Sequence, residues 1–83
     1  MTLYYVYVLH SKKFDRIYIG QTSNLKKRFE QHNSGLSKST KAYLPWDLIY
    51  SEKFNSRFEA MRREKELKSH RGRDYIRENH LKR

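Results

Sequence analysis

The sequence predicts an α+β domain: a small three-stranded antiparallel sheet flanked by helices, in the order β-β-α-β-α-α. Two runs rich in aromatic and β-branched residues lie close together near the amino terminus, separated by a polar turn. Two later segments carry helical periodicity behind capping residues, and an alternating stretch stands between them.

Each element has its own signal. Residues 3–10, Leu3 to His10, are dense in Tyr, Val and Leu and read as a strand. Residues 11–16 are polar and turn-like, and residues 16–20 (Arg-Ile-Tyr-Ile-Gly) read as its hairpin partner. Thr22, Ser23 or Asn24 caps a first helix that runs to about Asn33, with Gly35 just beyond it. Residues 34–45 form a basic, hydroxyl-rich loop, and Trp46 to Phe54 alternates as a third strand. Ser56-Arg57-Phe58-Glu59 is a capping-box pattern that opens a second helix, expected to reach Ser69. Gly72 is expected to break it, and residues 73–80 to form a short third helix. No repeat or linker divides the chain, so residues 1–83 are read as one domain.

Composition narrows the partners. Lys and Arg number 19 against 9 acidic residues, a formal net charge of +10. Such self-repulsion is relieved by a polyanion, of which nucleic acid is the commonest, although basic membrane-surface helices share the bias. Cysteine is absent, which excludes disulfides and thiolate zinc sites and suits a cytoplasmic setting. The longest apolar run, Leu3 to Leu9, is too short to span a bilayer and has no basic segment before it, so neither a signal peptide nor a membrane partner is expected.

Polar residues fall on faces meant for docking. With Leu25 at zero, Phe29 lies at about 40°, His32 at about 340° and Arg28 at about 300° around the first helix. Arg28 and His32 thus share the stripe that buries Leu25 and Phe29. Taken singly, a snorkelling arginine and a hydrogen-bonded core histidine would account for them. On the second helix, Glu64 falls inside the arc of Phe58, Met61, Ala60 and Leu67. A surface ion pair with Lys68 is the ordinary explanation, but it contributes only about 0.2–0.5 kcal/mol, while burying a carboxylate costs several kcal/mol. A metal ion or a catalytic role is a better reason for it. A hairpin turn centred near residue 12 or 13 would pair Tyr7 with Tyr18, both rings on one face, with Tyr5 and Gly20 following. Gly20 would let a ligand approach the backbone closely. One sheet face could then present Tyr7 and Tyr18 to Arg28, His32 and Glu64, a set suited to cleaving a phosphodiester. An aromatic cross-strand pair is the ordinary alternative for the two tyrosines.

These residues resemble the GIY-YIG nucleases. Tyr18-Ile19-Gly20 is the second signature triplet intact, and Tyr5-Val6-Tyr7 stands where the first is expected. Leu25 to Arg28, with His32 one turn on, is similar to the family's arginine segment. Ala60 to Glu64 is similar to the helix bearing its single acidic metal ligand, and Asn79 falls where a late asparagine is expected. The similarity is greatest to compact stand-alone bacterial members that resemble the amino-terminal nuclease module of the bacterial excision-repair incision protein, an excinuclease component. Tyr5 replaces the first glycine of the signature and narrows the space near the site.

The resemblance implies the GIY-YIG fold and one-metal hydrolysis of DNA. Glu64 would bind Mg²⁺ or Mn²⁺, and Tyr7 would act as general base toward water, with His32 assisting. Tyr18 would orient water or phosphate, and Arg28 would stabilise the pentavalent phosphate. The products would be a 5′-phosphate and a 3′-hydroxyl, and the setting DNA repair or processing of damaged or branched DNA. Gly20, Lys26, Lys27, Lys38, Lys41, Arg62, Arg63 and Asn79 would meet the nucleic acid, with little sequence specificity. The alternative is a non-catalytic nucleic-acid-binding module of the same fold. A role directing a protein partner in repair is the third option.

Overall fold

The structure is a computed structural model that describes residues 2–81. Its elements are β1 (Tyr4–Ser11), β2 (Arg16–Thr22), α1 (Leu25–Asn33), a 3₁₀ turn (Lys41–Tyr43), β3 (Asp47–Phe54), α2 (Arg57–Lys68) and α3 (His70–Ile76). A π-helical turn, Arg77–Leu81, follows α3. The strands form one antiparallel sheet in the order β2-β1-β3. The predicted α+β architecture is therefore present. No helix among the described residues is long and apolar enough to cross a membrane.

The hairpin register differs from the expected one. Tyr7 faces Gly20, and Tyr18 faces Leu9, because the turn is centred one residue later than expected, between Lys13 and Phe14, and passes through Asp15 in the left-handed region (φ 51°). His10 Nε2 hydrogen-bonds Asp15 Oδ1 at 3.0 Å, and Arg77 donates to both Asp15 carboxylate oxygens, which secures that conformation. The slip is two residues, so every side chain keeps its face. Tyr7 and Tyr18 still lie on one side of the sheet, with ring centroids 6.3 Å apart.

Alternation along β1 divides the core in two. Val6 and Val8, with Ile19 of β2, pack against Ala60 and Leu67 of α2 and Ile76 of α3. Tyr7 and Leu9, with Trp46, pack on the other side against Leu25 and Phe29 of α1. The sheet is thus a middle layer between α1 and the α2–α3 pair.

Local capping follows the sequence closely. Asn24 caps α1, its Oδ1 accepting from the Lys27 N–H at 3.1 Å. Ser56 caps α2, accepting from the Glu59 N–H at 3.2 Å and donating to the Glu59 carboxylate at 3.0 Å. The second helix, however, ends at Lys68 and is closed by Ser69, which also caps α3 by accepting from the Gly72 N–H at 3.1 Å. Gly72 does not break α2; it lies inside α3. A Cβ there would stand 2.2 Å from the Glu66 carbonyl oxygen and 2.5 Å from Leu67 Cα, so glycine allows the two helices to meet at this sharp corner.

The buried stripe of α2 is also rotated from the expected one. Ala60 and Leu67 are buried, whereas Phe58 and Met61 are 72% and 52% exposed. Small Ala60 brings the helix down onto Val6 and Val8, and Phe58 and Met61 lie roughly 110° or more from that contact line. Glu64, about 50° from it, sits on the rim of the buried stripe.

Gly72→Ala should lower stability by about 1–3 kcal/mol through overpacking at the α2–α3 corner. Urea unfolding measures this, and an unchanged midpoint would show that the corner can relax.

Candidate functional site

The site is built around the Tyr7 phenol. Tyr7 is 1% exposed and lies across Gly20, where a Cβ would stand 2.6 Å from its hydroxyl and 3.1 Å from the Tyr18 ring. Gly20 therefore makes room for the ring of Tyr7 itself. α1 delivers His32, fully buried, whose Nε2 is hydrogen-bonded to the Tyr7 hydroxyl at 2.9 Å. His32 Nδ1 is hydrogen-bonded to the hydroxyl of buried Thr40 at 3.0 Å. Tyr18 packs on the same imidazole, 4.8 Å between centroids. The loop that carries Thr40 is fastened from both sides. The Trp46 indole donates to the Thr40 carbonyl at 2.9 Å, and Asn33 exchanges hydrogen bonds with the Trp46 backbone at 2.9 and 2.7 Å.

Arg28, one turn before His32, is half-buried and donates to Gln31 Oε1 at 3.2 Å. Burial opposes its charge, but hydrogen-bonding contact with Tyr7 and Tyr18 outweighs it and holds the guanidinium above its ordinary pKa. Burial pushes the Tyr7 phenol up to about 12, against the pull of Arg28. Burial, with the charge of Arg28 adding to it, brings His32 down to about 4. At neutral pH the site thus holds one cation, a neutral phenol and a neutral imidazole.

Glu64 arrives from the other layer, contrary to the expectation that all five residues share one face. It belongs to α2, which packs on the Val6 and Val8 side. Its carboxylate accepts from Gln21 Nε2 at 3.2 Å and pairs with Lys68 Nζ at 2.8 Å. β2 is an edge strand and Gly20 carries no side chain, so the charge of Glu64 is still felt at Tyr7, where it favours the neutral phenol. The cluster straddles the β2 edge, with Tyr7, Tyr18, Arg28 and His32 above it and Glu64 with Gln21 below.

Among the residues expected to meet nucleic acid, Lys26 and Lys27 on α1, Lys38 and Lys41 in the loop, and Arg62 on α2 are exposed. Arg63 is engaged elsewhere. Its guanidinium grips the Glu52 carboxylate at 3.0 Å and that of Glu66 at 3.3 Å. Asn79 donates to the Tyr75 carbonyl at 2.9 Å in the π-helical turn, on the α3 side of the sheet. Gln21 and Thr40 were not anticipated. Alternation along β2 places Gln21 toward α2 with Ile19, a signal present in the sequence; Thr40, in an irregular loop, carries none.

The model of the GIY-YIG catalytic domain matches residues 3–82. The chain belongs to the GIY-YIG family. It is 43% identical over 70 residues to a UPF0213 protein of Staphylococcus haemolyticus, covering 83% of this chain and 84% of that protein. A UPF0213 protein of Streptococcus agalactiae is 48% identical over 61 residues, 72% of this chain and 68% of that one. The solution structure of a UPF0213 protein from Bacillus halodurans superposes with a TM-score of 0.55 at 35% identity, covering 89% of this chain and 81% of that one. GIY-YIG domains are nucleases, so the chain is of nuclease type and its class of substrate is nucleic acid. In this GIY-YIG chain the two signature segments lie on neighbouring strands, Tyr7 directly opposite Gly20.

The depressed pKa of His32 has a thermodynamic consequence. As pH falls below about 6.5 the unfolded chain binds a proton that the folded chain refuses until about 4, so stability drops across that window. The loss expected is on the order of 2–3 kcal/mol. Urea unfolding of wild type and His32→Gln between pH 7 and 4 measures it. The variant should lack this portion of the slope, and parallel profiles would contradict the assignment.

Proposed function

We propose that this chain is an endonuclease hydrolysing DNA phosphodiester bonds with one divalent cation, Mg²⁺ or Mn²⁺. Residues 1–83 would act as a single unit on damaged or branched DNA. A cytoplasmic setting and a protein partner in repair accompany this reading. The observation that supports it best is the packing of Tyr7, Tyr18 and His32 together beside the edge strand, with the charges of Arg28 and Glu64 both acting on the Tyr7 phenol.

The carboxylate suits a hard cation. Among the described residues no three His, Cys, Asp or Glu side chains gather into a cage. A cation here would therefore take its other ligands from water and phosphate, as Mg²⁺ commonly does. Glu64 would hold it, and the half-exposed Lys68 is able to swing away from the carboxylate. The cation would supply Lewis acidity and a more acidic bound water.

The protein's own groups do the rest. Arg28 stays protonated and balances charge that builds on the phosphate oxygens. Tyr18, half-buried beside it, orients phosphate or water. Tyr7 serves as the base. With its pKa near 12, only on the order of one phenol in 10⁵ is ionised at pH 7, so Tyr7 is not a resting phenolate and takes the proton of the attacking water only as its own hydroxyl proton passes to His32 Nε2, 2.9 Å away. His32 holds that hydroxyl in place. Lys26, Lys27, Lys38, Lys41 and Arg62 would contact the backbone on either side, with strong salt dependence. Arg63 and Asn79, engaged within the protein, are left out of that surface.

One observation favours the second reading, a binding module without turnover. Lys68 already supplies Glu64 with a cation of its own at 2.8 Å.

Nicking of plasmid and branched DNA in Mn²⁺ separates the two. Arg28→Ala should slow cleavage by about 10²–10³-fold, and Glu64→Gln should reduce it to background. Lys68→Ala should lower the Mn²⁺ concentration needed for half-maximal cleavage. Salt-sensitive binding with no cleavage by any form would establish the binding module instead.

A further inference from the structure

The hydrogen bonds behind Tyr7 have a direction. The Thr40 hydroxyl donates to the Ser37 carbonyl oxygen, at 3.5 Å. Its oxygen is therefore the acceptor toward His32 Nδ1, 3.0 Å away, which puts the single proton of the neutral imidazole on Nδ1. Nε2 is then unprotonated and accepts from the Tyr7 hydroxyl, at 2.9 Å. Every donor points inward, from Tyr7 to a carbonyl in the loop, and such a chain is mutually polarising.

We propose that Thr40 is a positioning residue: its buried hydroxyl holds His32 as the Nδ1–H tautomer, so that Tyr7 donates inward and turns its remaining lone pair toward the substrate. The consequence rests on the nuclease reading above. With the lone pair outward, Tyr7 accepts a hydrogen bond from the attacking water. In the opposite tautomer, Nε2–H would donate to the phenol oxygen, the Tyr7 hydroxyl would point outward, and Tyr7 would become a donor to phosphate. Thr40 thus decides which of two chemistries the same phenol performs. It does so without touching the substrate, from a loop fastened by the Trp46 indole to the Thr40 carbonyl. Both Thr40 and His32 are fully buried, so water does not compete for either end of the bond.

The test uses the full chain. ¹⁵N NMR of the imidazole distinguishes the tautomers directly, and wild type should show Nε2 as the unprotonated, pyridine-like nitrogen. Finding Nε2–H in wild type overturns the proposal whatever the variants do. Thr40→Val keeps the shape and removes the acceptor; it should shift His32 toward Nε2–H and slow cleavage about 10–100-fold with DNA affinity unchanged. Thr40→Ser should restore both the tautomer and the rate. An unchanged tautomer in Thr40→Val, or a changed tautomer with a wild-type rate, overturns the positioning role. If wild type cleaves nothing, the nuclease reading fails, and the NMR result still decides whether Thr40 sets the tautomer.

Discussion

The hydrogen bond between the Tyr7 hydroxyl and His32 Nε2, 2.9 Å long and sealed from water, ties the central strand to α1. Much of the surrounding arrangement is a condition for it. Gly20 must lack a side chain because the phenol crosses its Cα. Thr40 must be buried because the far side of the imidazole needs a partner, and the loop must be tied to Trp46 and Asn33 to keep it there. Tyr18 then packs on the same phenol, and the charge of Arg28 acts on it. A bond between two neutral groups suits this setting, since a buried ion pair would carry a desolvation penalty of several kcal/mol.

The layered architecture explains how a single carboxylate reaches that phenol. α1 and α2 lie on opposite faces, and the charge of Glu64 is felt at Tyr7 across the edge strand β2. An edge strand with a glycine at the crossing point is the thinnest part of the layer. The strongly basic chain, at +10, supplies the surrounding potential, while Lys68 balances the one acid that faces the cluster. A polyanion drawn to this surface would meet Arg28 and Glu64 at the same edge.

Much of this was legible in the sequence. The faces of Tyr7 and Tyr18 survived a wrong register because a two-residue slip preserves alternation. His32 and Arg28 stood out because polar groups on a docking stripe are informative. The side from which Glu64 approaches was not legible. A helical wheel fixes angles between residues but not which arc is buried, and small Ala60 prevailed over the larger Phe58 and Met61 by allowing closer approach. Gly72 carried a breaker's signature while serving as a contact point between helices. Thr40 lies in an irregular loop, where no period marks a buried hydroxyl. The GIY-YIG resemblance, by contrast, held over nearly the whole chain.

In the proposed mechanism Tyr7 works only while it lies across Gly20 against His32. Gly20→Ala places a methyl group 2.6 Å from the Tyr7 hydroxyl, and a displacement near 1 Å at a reacting group can slow a reaction about 100-fold. A loss of that order is expected in Mn²⁺-dependent DNA cleavage, with the far-UV circular dichroism preserved and the His32 pKa moved up from about 4. A folded Gly20→Ala protein with the wild-type cleavage rate and an unmoved His32 would contradict it.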